Sequence, residues 1–267
     1  MKKLAFLKLG GSLITDKDQP NTALYDRIDH IAGQLAHFRA SSPEVQLLIG
    51  HGSGSFGHSA AKQYQTRQGV TTAEQWLGFA KVWLAARALN QIVIASLARH
   101  GLPVLSFPLS SMATVDPTGR LHWPSEPLQA ALEHGLIPVV YGDVVFSEQK
   151  GGTIFSTEEQ FAALVPLLRP DEILLAGIEP GVWQDFPECT QLIETITPKS
   201  YLQFFDKIKE SASIDVTGGM ASKVREMLSL IEAYPCLQVR LFSGKEENAV
   251  FQALSGELKG TLLQRDD

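Results

Sequence analysis

With 267 residues, 44% of them hydrophobic and 19% charged, the chain is long enough for one large α/β domain or two fused lobes around an ordinary globular core. A net charge of −6 argues against a general nucleic-acid binder, which needs a basic surface, yet leaves room for small phosphates held by local lysines. Two cysteines, Cys189 and Cys236, form no CxxC pair and read as reduced thiols of a cytoplasmic protein. No uninterrupted apolar run reaches the roughly 18–20 residues that cross a bilayer, so no membrane association is expected.

The apolar run Leu4–Leu9 reads as a buried parallel strand, and its break at Lys8 comes too early for a signal peptide. Helical spacing follows over Leu24–Arg39, then a second buried strand at Val45–Ile49 that enters a glycine-rich segment. Ala73–Arg99 reads as one long helix or two consecutive ones, stopped by Gly101 and Pro103. A third strand is expected over Pro103–Phe107 and a hairpin over Val115–Trp123, around the turn Asp116-Pro117-Thr118-Gly119. Pro127–His134 predicts a helix and Ile137–Tyr141 a fourth strand. Val144–Phe146 and Thr153–Phe155 flank Lys150-Gly151-Gly152 as a second hairpin. Further on come a helix at Glu158–Leu168, a strand at Glu172–Ala176 and helices at Lys199–Glu210 and Met220–Ala233. A strand at Leu237–Phe242, a short helix at Asn248–Leu254 and a closing edge strand at Gly260–Leu263 complete the chain. Strands alternating with helices predict a mostly parallel sheet covered on both faces, with ligands beyond the carboxyl ends of its strands.

Three segments carry phosphate-binding chemistry. They are Lys8-Leu9-Gly10-Gly11-Ser12 with Lys17 nearby, the stretch Gly50–His58, and Thr217-Gly218-Gly219-Met220-Ala221-Ser222-Lys223. Each sets bare backbone N–H groups beside a cation at a strand end or helix start, which is what a phosphate requires. Gly52-Ser53-Gly54-Ser55-Phe56-Gly57 also fits the dinucleotide pattern G-x-G-x-x-G. The acidic strand end that should follow about 20 residues later is missing, because Thr71–Lys81 reads as a helix start. The G-x-x-x-x-G-K-[ST] motif is absent. His58, among free N–H groups, is suited to hold an anion, whereas His51 nearer the strand reads as a packing residue. Asp143 after Gly142 is either a turn residue or a carboxylate that holds Lys8 or Lys17, or helps to place Mg²⁺. Trp76, Phe79 and Trp83 read as core or lid packing.

Lys8-Leu9-Gly10-Gly11-Ser12, the glycine-rich segment, Gly142-Asp143-Val144 and Thr217-Gly218-Gly219-Met220 with Lys223 resemble, in order, the amino acid kinase superfamily. The fuller strings Lys8–Lys17 and Gly54–His58 are similar to its isopentenyl phosphate kinase family. The resemblance implies a three-layer αβα sandwich with a mostly parallel central sheet and β-hairpin lid elements. It implies a single domain, with an acceptor lobe over residues 1–168 and a nucleotide lobe over 169–267, that forms a homodimer. It implies transfer of the γ-phosphoryl group of ATP, with Mg²⁺, to isopentenyl phosphate. The residues expected to carry catalysis are Lys8, Lys17, His58 and Asp143. ATP is expected at Lys8, Gly10, Gly11, Ser12, Ser53, Gly177, Gly181, Gly219 and Lys223, and the acceptor at Gly52, Gly54, Gly57, His58 and Thr157. Ser156-Thr157-Glu158-Glu159 stands where that family commonly has a Ser-Gly-Asp-Asp string, and Ala176–Gly181 where it has an Ala-Thr-Asp-x-Asp-Gly string. The alternatives are a kinase of another small phosphate or phosphonate, fosfomycin among them, and a nucleotide binder without catalysis. Phe79, Val82, Trp83 and Ile94 are candidates to wall the acceptor's tail.

Overall fold

The structure, a computed structural model, describes residues 3–185, 187–203, 219–257 and 259–266, apart from the side chains of His58 and Ser59. Six buried residues in a row make strand β1 (Leu4–Leu9), and Gly10-Gly11 opens a one-turn helix, α1 (Gly11–Ile14). Then come α2 (Tyr25–Ser41), β2 (Gln46–His51) and, past a 3₁₀ turn at Gly54–Phe56, the short α3 (His58–Gln63). Helix α4 (Ala73–Arg99) runs unbroken from a capping box in which the Thr72 hydroxyl accepts from the Gln75 amide. β3 (Val104–Ser106), α5 (Leu109–Met112), the hairpin β4 (Thr114–Val115) and β5 (Leu121–His122), α6 (Glu126–Glu133) and β6 (Ile137–Tyr141) follow. A second hairpin, β7 (Asp143–Ser147) and β8 (Gly151–Phe155), leads to α7 (Thr157–Leu168) and β9 (Glu172–Gly177). The short strands β10 (Val182–Trp183), β11 (Leu192–Ile193) and β12 (Thr195–Ile196) precede α8 (Gly219–Ala233), β13 (Gln238–Ser243), α9 (Ala249–Leu254) and β14 (Thr261–Leu263).

Eight strands form the central sheet in the order β12-β14-β13-β9-β1-β2-β6-β3, parallel at every pairing except β13 with β14. Two cores cover it. Leu7 and Leu9 of β1 join the layer of α2, α4 and α9, while Leu4 and Phe6 join the layer of α6, α7 and α8. Side chains alternate along a strand, so Lys8 shares the Phe6 side and faces α7. The expected αβα sandwich is present. The chain leaves β1 toward β2 on one side and returns through β9 on the other, which opens a crevice at the carboxyl end of β1. The hairpins join in a separate sheet, β5-β4-β7-β8, tied to the loop before α4 by the Val70 amide on the Lys150 carbonyl.

Three expectations change. The last strand, β14, is not an edge, because β12 pairs on its outer side. Strands of two residues, such as β10 to β12, are too short to show periodicity. Helix α4 has the length and composition to cross a bilayer although no unbroken apolar run does, and only 39% of that apolar window is buried. The helix expected over Lys199–Glu210 is seen at residues 198–203, and its remainder lies outside the described residues.

Candidate active site

Strand register places the first two phosphate segments together. Lys8 lies level with Gly50 of β2 and Leu175 of β9, and Leu9 with His51 and Ala176. The loops that leave these strands therefore meet at one sheet edge. They meet closely enough to require glycine. A Cβ on Gly11 would strike the Gly54 backbone, one on Gly52 would lie 2.9 Å from the Gly11 nitrogen, and one on Gly10 3.0 Å from the Ala176 carbonyl. Gly54 also takes φ +50°, the left-handed region.

Lys8 does not point to water, as a strand-end lysine commonly would. It is 7% exposed, and its Nζ lies 2.7 Å from Oε1 of Glu158, in the first turn of α7. The same Oε1 lies 3.9 Å from Nζ of Lys223 on α8. One buried carboxylate thus faces two ammonium groups from distant parts of the chain. Burial alone would push the Glu158 carboxyl up, but Lys8 and then Lys223 outweigh it and hold the carboxylate below its usual range. Nearby on α8, Glu226 is pushed up to about 7 by burial and by the charges of Glu159 and Glu158.

The other expected residues divide. Lys17 is exposed in the 16–22 loop, which is fastened to the glycine-rich loop by the Asn21 amide on the Ser55 carbonyl and the Thr22 amide on the Ser55 hydroxyl. His58 is the first residue of α3, and its side chain lies outside the described residues. Ser12 sits half-buried in α1. Ser53 donates its hydroxyl to the Gly142 carbonyl, and a Cβ on Gly57 would lie 2.8 Å from Ser53 Cβ. Gly177 ends β9, where a Cβ would meet nothing nearer than 3.9 Å, and Gly219 opens α8 at φ +66°. Asp215, Thr217 and Gly218 lie outside the described residues.

Three placements correct the sequence reading. Asp143 holds neither Lys8 nor Lys17. It is fully buried, and its carboxylate accepts from the Ser110 and Val144 amides at 3.1 and 2.8 Å. Thr157 is 1% exposed, and its hydroxyl is spent inside the protein, donating to the His51 carbonyl at 2.6 Å. Gly181 answers to packing, since a Cβ there would lie 2.5 Å from the Thr261 hydroxyl. His51 has the packing role expected of it. Its ring is buried, stacks on Tyr141 and faces Asn90, and burial pushes its pKa down.

Glu158 is the candidate site residue that sequence reasoning missed. A capping box, Ser156 with Glu159, accounts for the helix start and for one of the two glutamates, leaving Glu158 unassigned; that surplus was the available signal. Of the four candidates for the tail wall, Phe79 and Val82 cluster with Val70 and Val144, and Trp83 packs against them. Ile94 lies outside that cluster but shares with Trp83 the lining of a cavity of about 480 Å³, together with Arg87, Asn90, Ser106 and Tyr141. Among the described residues no group of three or more His, Cys, Asp or Glu could hold a metal ion.

Residues 3–243 match the family model described as the amino acid kinase family. The chain is 30% identical to isopentenyl phosphate kinase of Methanocaldococcus jannaschii over 97% of both chains. It is 34% identical to that of Haloferax volcanii over 85% of this chain and 88% of the other. A solved structure described as isopentenyl phosphate kinase superposes with a TM-score of 0.81 at 28% identity, covering 98% of this chain and all of that one.

Proposed function

Because the chain belongs to the amino acid kinase family, we propose that it transfers the γ-phosphoryl group of ATP to isopentenyl phosphate, giving isopentenyl diphosphate and ADP. The protein is a phosphotransferase. The observation that carries the reading is the Lys8–Glu158–Lys223 cluster beside the interlocked glycine loops. The choice of acceptor rests on the curated relatives, which carry that name.

Phosphoryl transfer depends on alignment and on neutralising charge rather than on covalent help from the protein. Lys8 and Lys223 supply positive charge where the transferred group passes, and Glu158 keeps the two ammonium groups together despite their repulsion. The backbone amides of Gly11 and Gly219, with Ser12, Ser53 and Gly177, receive the ATP phosphates, and Gly10, whose own amide is taken by the Ala176 carbonyl, leaves the backbone open to their approach. The amides of Gly54 and Gly57, with Lys17 and His58, hold the acceptor phosphate, while the Gly52 amide is taken by the Leu9 carbonyl. A phosphomonoester is largely dianionic at neutral pH, so the attacking oxygen needs no general base. The Phe79, Val82 and Trp83 side of α4 shelters the hydrocarbon tail.

Mg²⁺ would come with ATP and would neutralise charge on its phosphates. Glu158, the carboxylate between Lys8 and Lys223, is engaged by lysines and has little capacity left for a metal. The acceptor lobe is residues 1–168 and the nucleotide lobe 169–267, and the enzyme works as a cytoplasmic homodimer. The test is to incubate the pure protein with Mg²⁺, ATP and a panel of phosphorylated acceptors and to weigh the products. Isopentenyl diphosphate is expected. Turnover of another phosphate or phosphonate, or ATP binding without product, would overturn the choice of acceptor or the catalysis.

A further inference from the structure

Besides the backbone bond from the Gly52 amide to the Leu9 carbonyl, the donor and acceptor loops are joined by one side chain with no part in the chemistry itself. Thr15 follows α1 and is 1% exposed. Its hydroxyl donates to the Gly11 carbonyl at 2.7 Å and accepts the Ser55 amide at 3.0 Å, so a single oxygen ties Lys8–Gly11 to Gly52–Ser55. The contact is built in on both sides. A Cβ on Gly54 would strike the Thr15 hydroxyl, and the positive φ of Gly54 keeps that face bare. Thr15 also opens the Lys17 loop, whose far end returns through a bridge between Thr15 and Ala23.

We propose that Thr15 is a positioning residue that fixes the register between the two phosphate-holding loops. This rests on the reading above, in which one loop carries the donor and the other the acceptor. In-line transfer tolerates little error, and a displacement of about 1 Å can cost about 100-fold in rate. Each loop still holds its own ligand when the pin is lost, so the loss falls on turnover rather than on binding.

The experiment compares Thr15→Val, which keeps the branched shape and removes the hydroxyl, with Thr15→Ser, which keeps the hydroxyl. Thr15→Val should lose about 30- to 100-fold in kcat, with KM for ATP and for isopentenyl phosphate changed by less than about threefold. Thr15→Ser should stay within about threefold of the parent in all three. Amide hydrogen exchange over residues 53–57 is read alongside. Protection should fall in Thr15→Val, where the Ser55 amide has lost its acceptor, and persist in Thr15→Ser. Unchanged kcat in Thr15→Val, or an equal loss in both variants, overturns the proposal. The exchange measurement needs no substrate: if the parent ignores isopentenyl phosphate, the functional reading fails, while unchanged protection in Thr15→Val would sink the pin by itself.

Discussion

A carboxylate at position 158 settles a conflict that two lysines would otherwise create. Lys8 and Lys223 converge from β1 and α8, and two ammonium groups that close repel strongly where water is scarce. Glu158→Gln keeps the shape and one hydrogen-bond acceptor but removes the charge between them. The lysines should then separate, with kcat falling about 100-fold or more and stability by about 1–3 kcal/mol. Steady-state kinetics and a melting curve check both. Wild-type turnover in Glu158→Gln would deny the cluster its role. The lysine of the pair was legible in the sequence and the glutamate was not, for a physical reason. A lysine that ends an apolar strand before two glycines has few structural uses. A glutamate in a first helical turn has a common one, favourable interaction with the helix dipole, and only the tertiary arrangement reveals its second partner. Thr157 and Asp143 misled for the mirror reason. Both open an element, β7 and α7, where a polar side chain invites a functional reading, but their polar atoms are directed to backbone groups.

At the level of elements, legibility followed burial. Ile137–Tyr141 was read to the residue and Leu4–Leu9 likewise, because strands buried on both faces are continuous apolar runs bounded by glycine or charge. The two-residue strands draw their pairing from the sheet and leave no pattern of their own. The seat of α3 on α4 was equally hidden. Tyr64, which caps α3, lies over Gly78 of α4, and its hydroxyl accepts from Lys81 at 2.6 Å. In an isolated helix Gly→Ala gains about 1 kcal/mol. Here the added methyl would strike Cβ and Cγ of Tyr64, close to its backbone, so the tyrosine cannot swing clear. Overpacking of this kind costs about 1–3 kcal/mol, so Gly78→Ala should lower the melting temperature rather than raise it. Because α3 begins at His58, the variant should also raise KM for the acceptor more than for ATP. A higher melting temperature would show that α3 does not rest on α4 in this way.

For the whole molecule, the unusual surface is the outer side of α4. Leu77 and Leu84 are 55% and 61% exposed, and Ala80, Ala88 and Ala95 continue the same side at helical spacing. That stripe gives α4 its apolar composition while leaving most of the helix uncovered within one chain. A bilayer would fit it poorly, because the charged Lys81 and Arg87 lie on the exposed side as well. A second copy of the helix fits better. Leucines would pack into the spaces over alanines, the small residues would let the helices approach closely, and the charges would stay at the rim. The homodimer proposed above is therefore expected to form across α4. Leu84→Glu should place a carboxylate in the middle of that contact and halve the mass seen by light scattering, with the fold retained by circular dichroism. Leu77 lies two turns away, so Leu77→Glu should weaken association less. If the parent protein is already monomeric at tens of micromolar, the homodimer is wrong. If Leu84→Glu stays dimeric, the subunits meet on another face, and the stripe on α4 has a different partner.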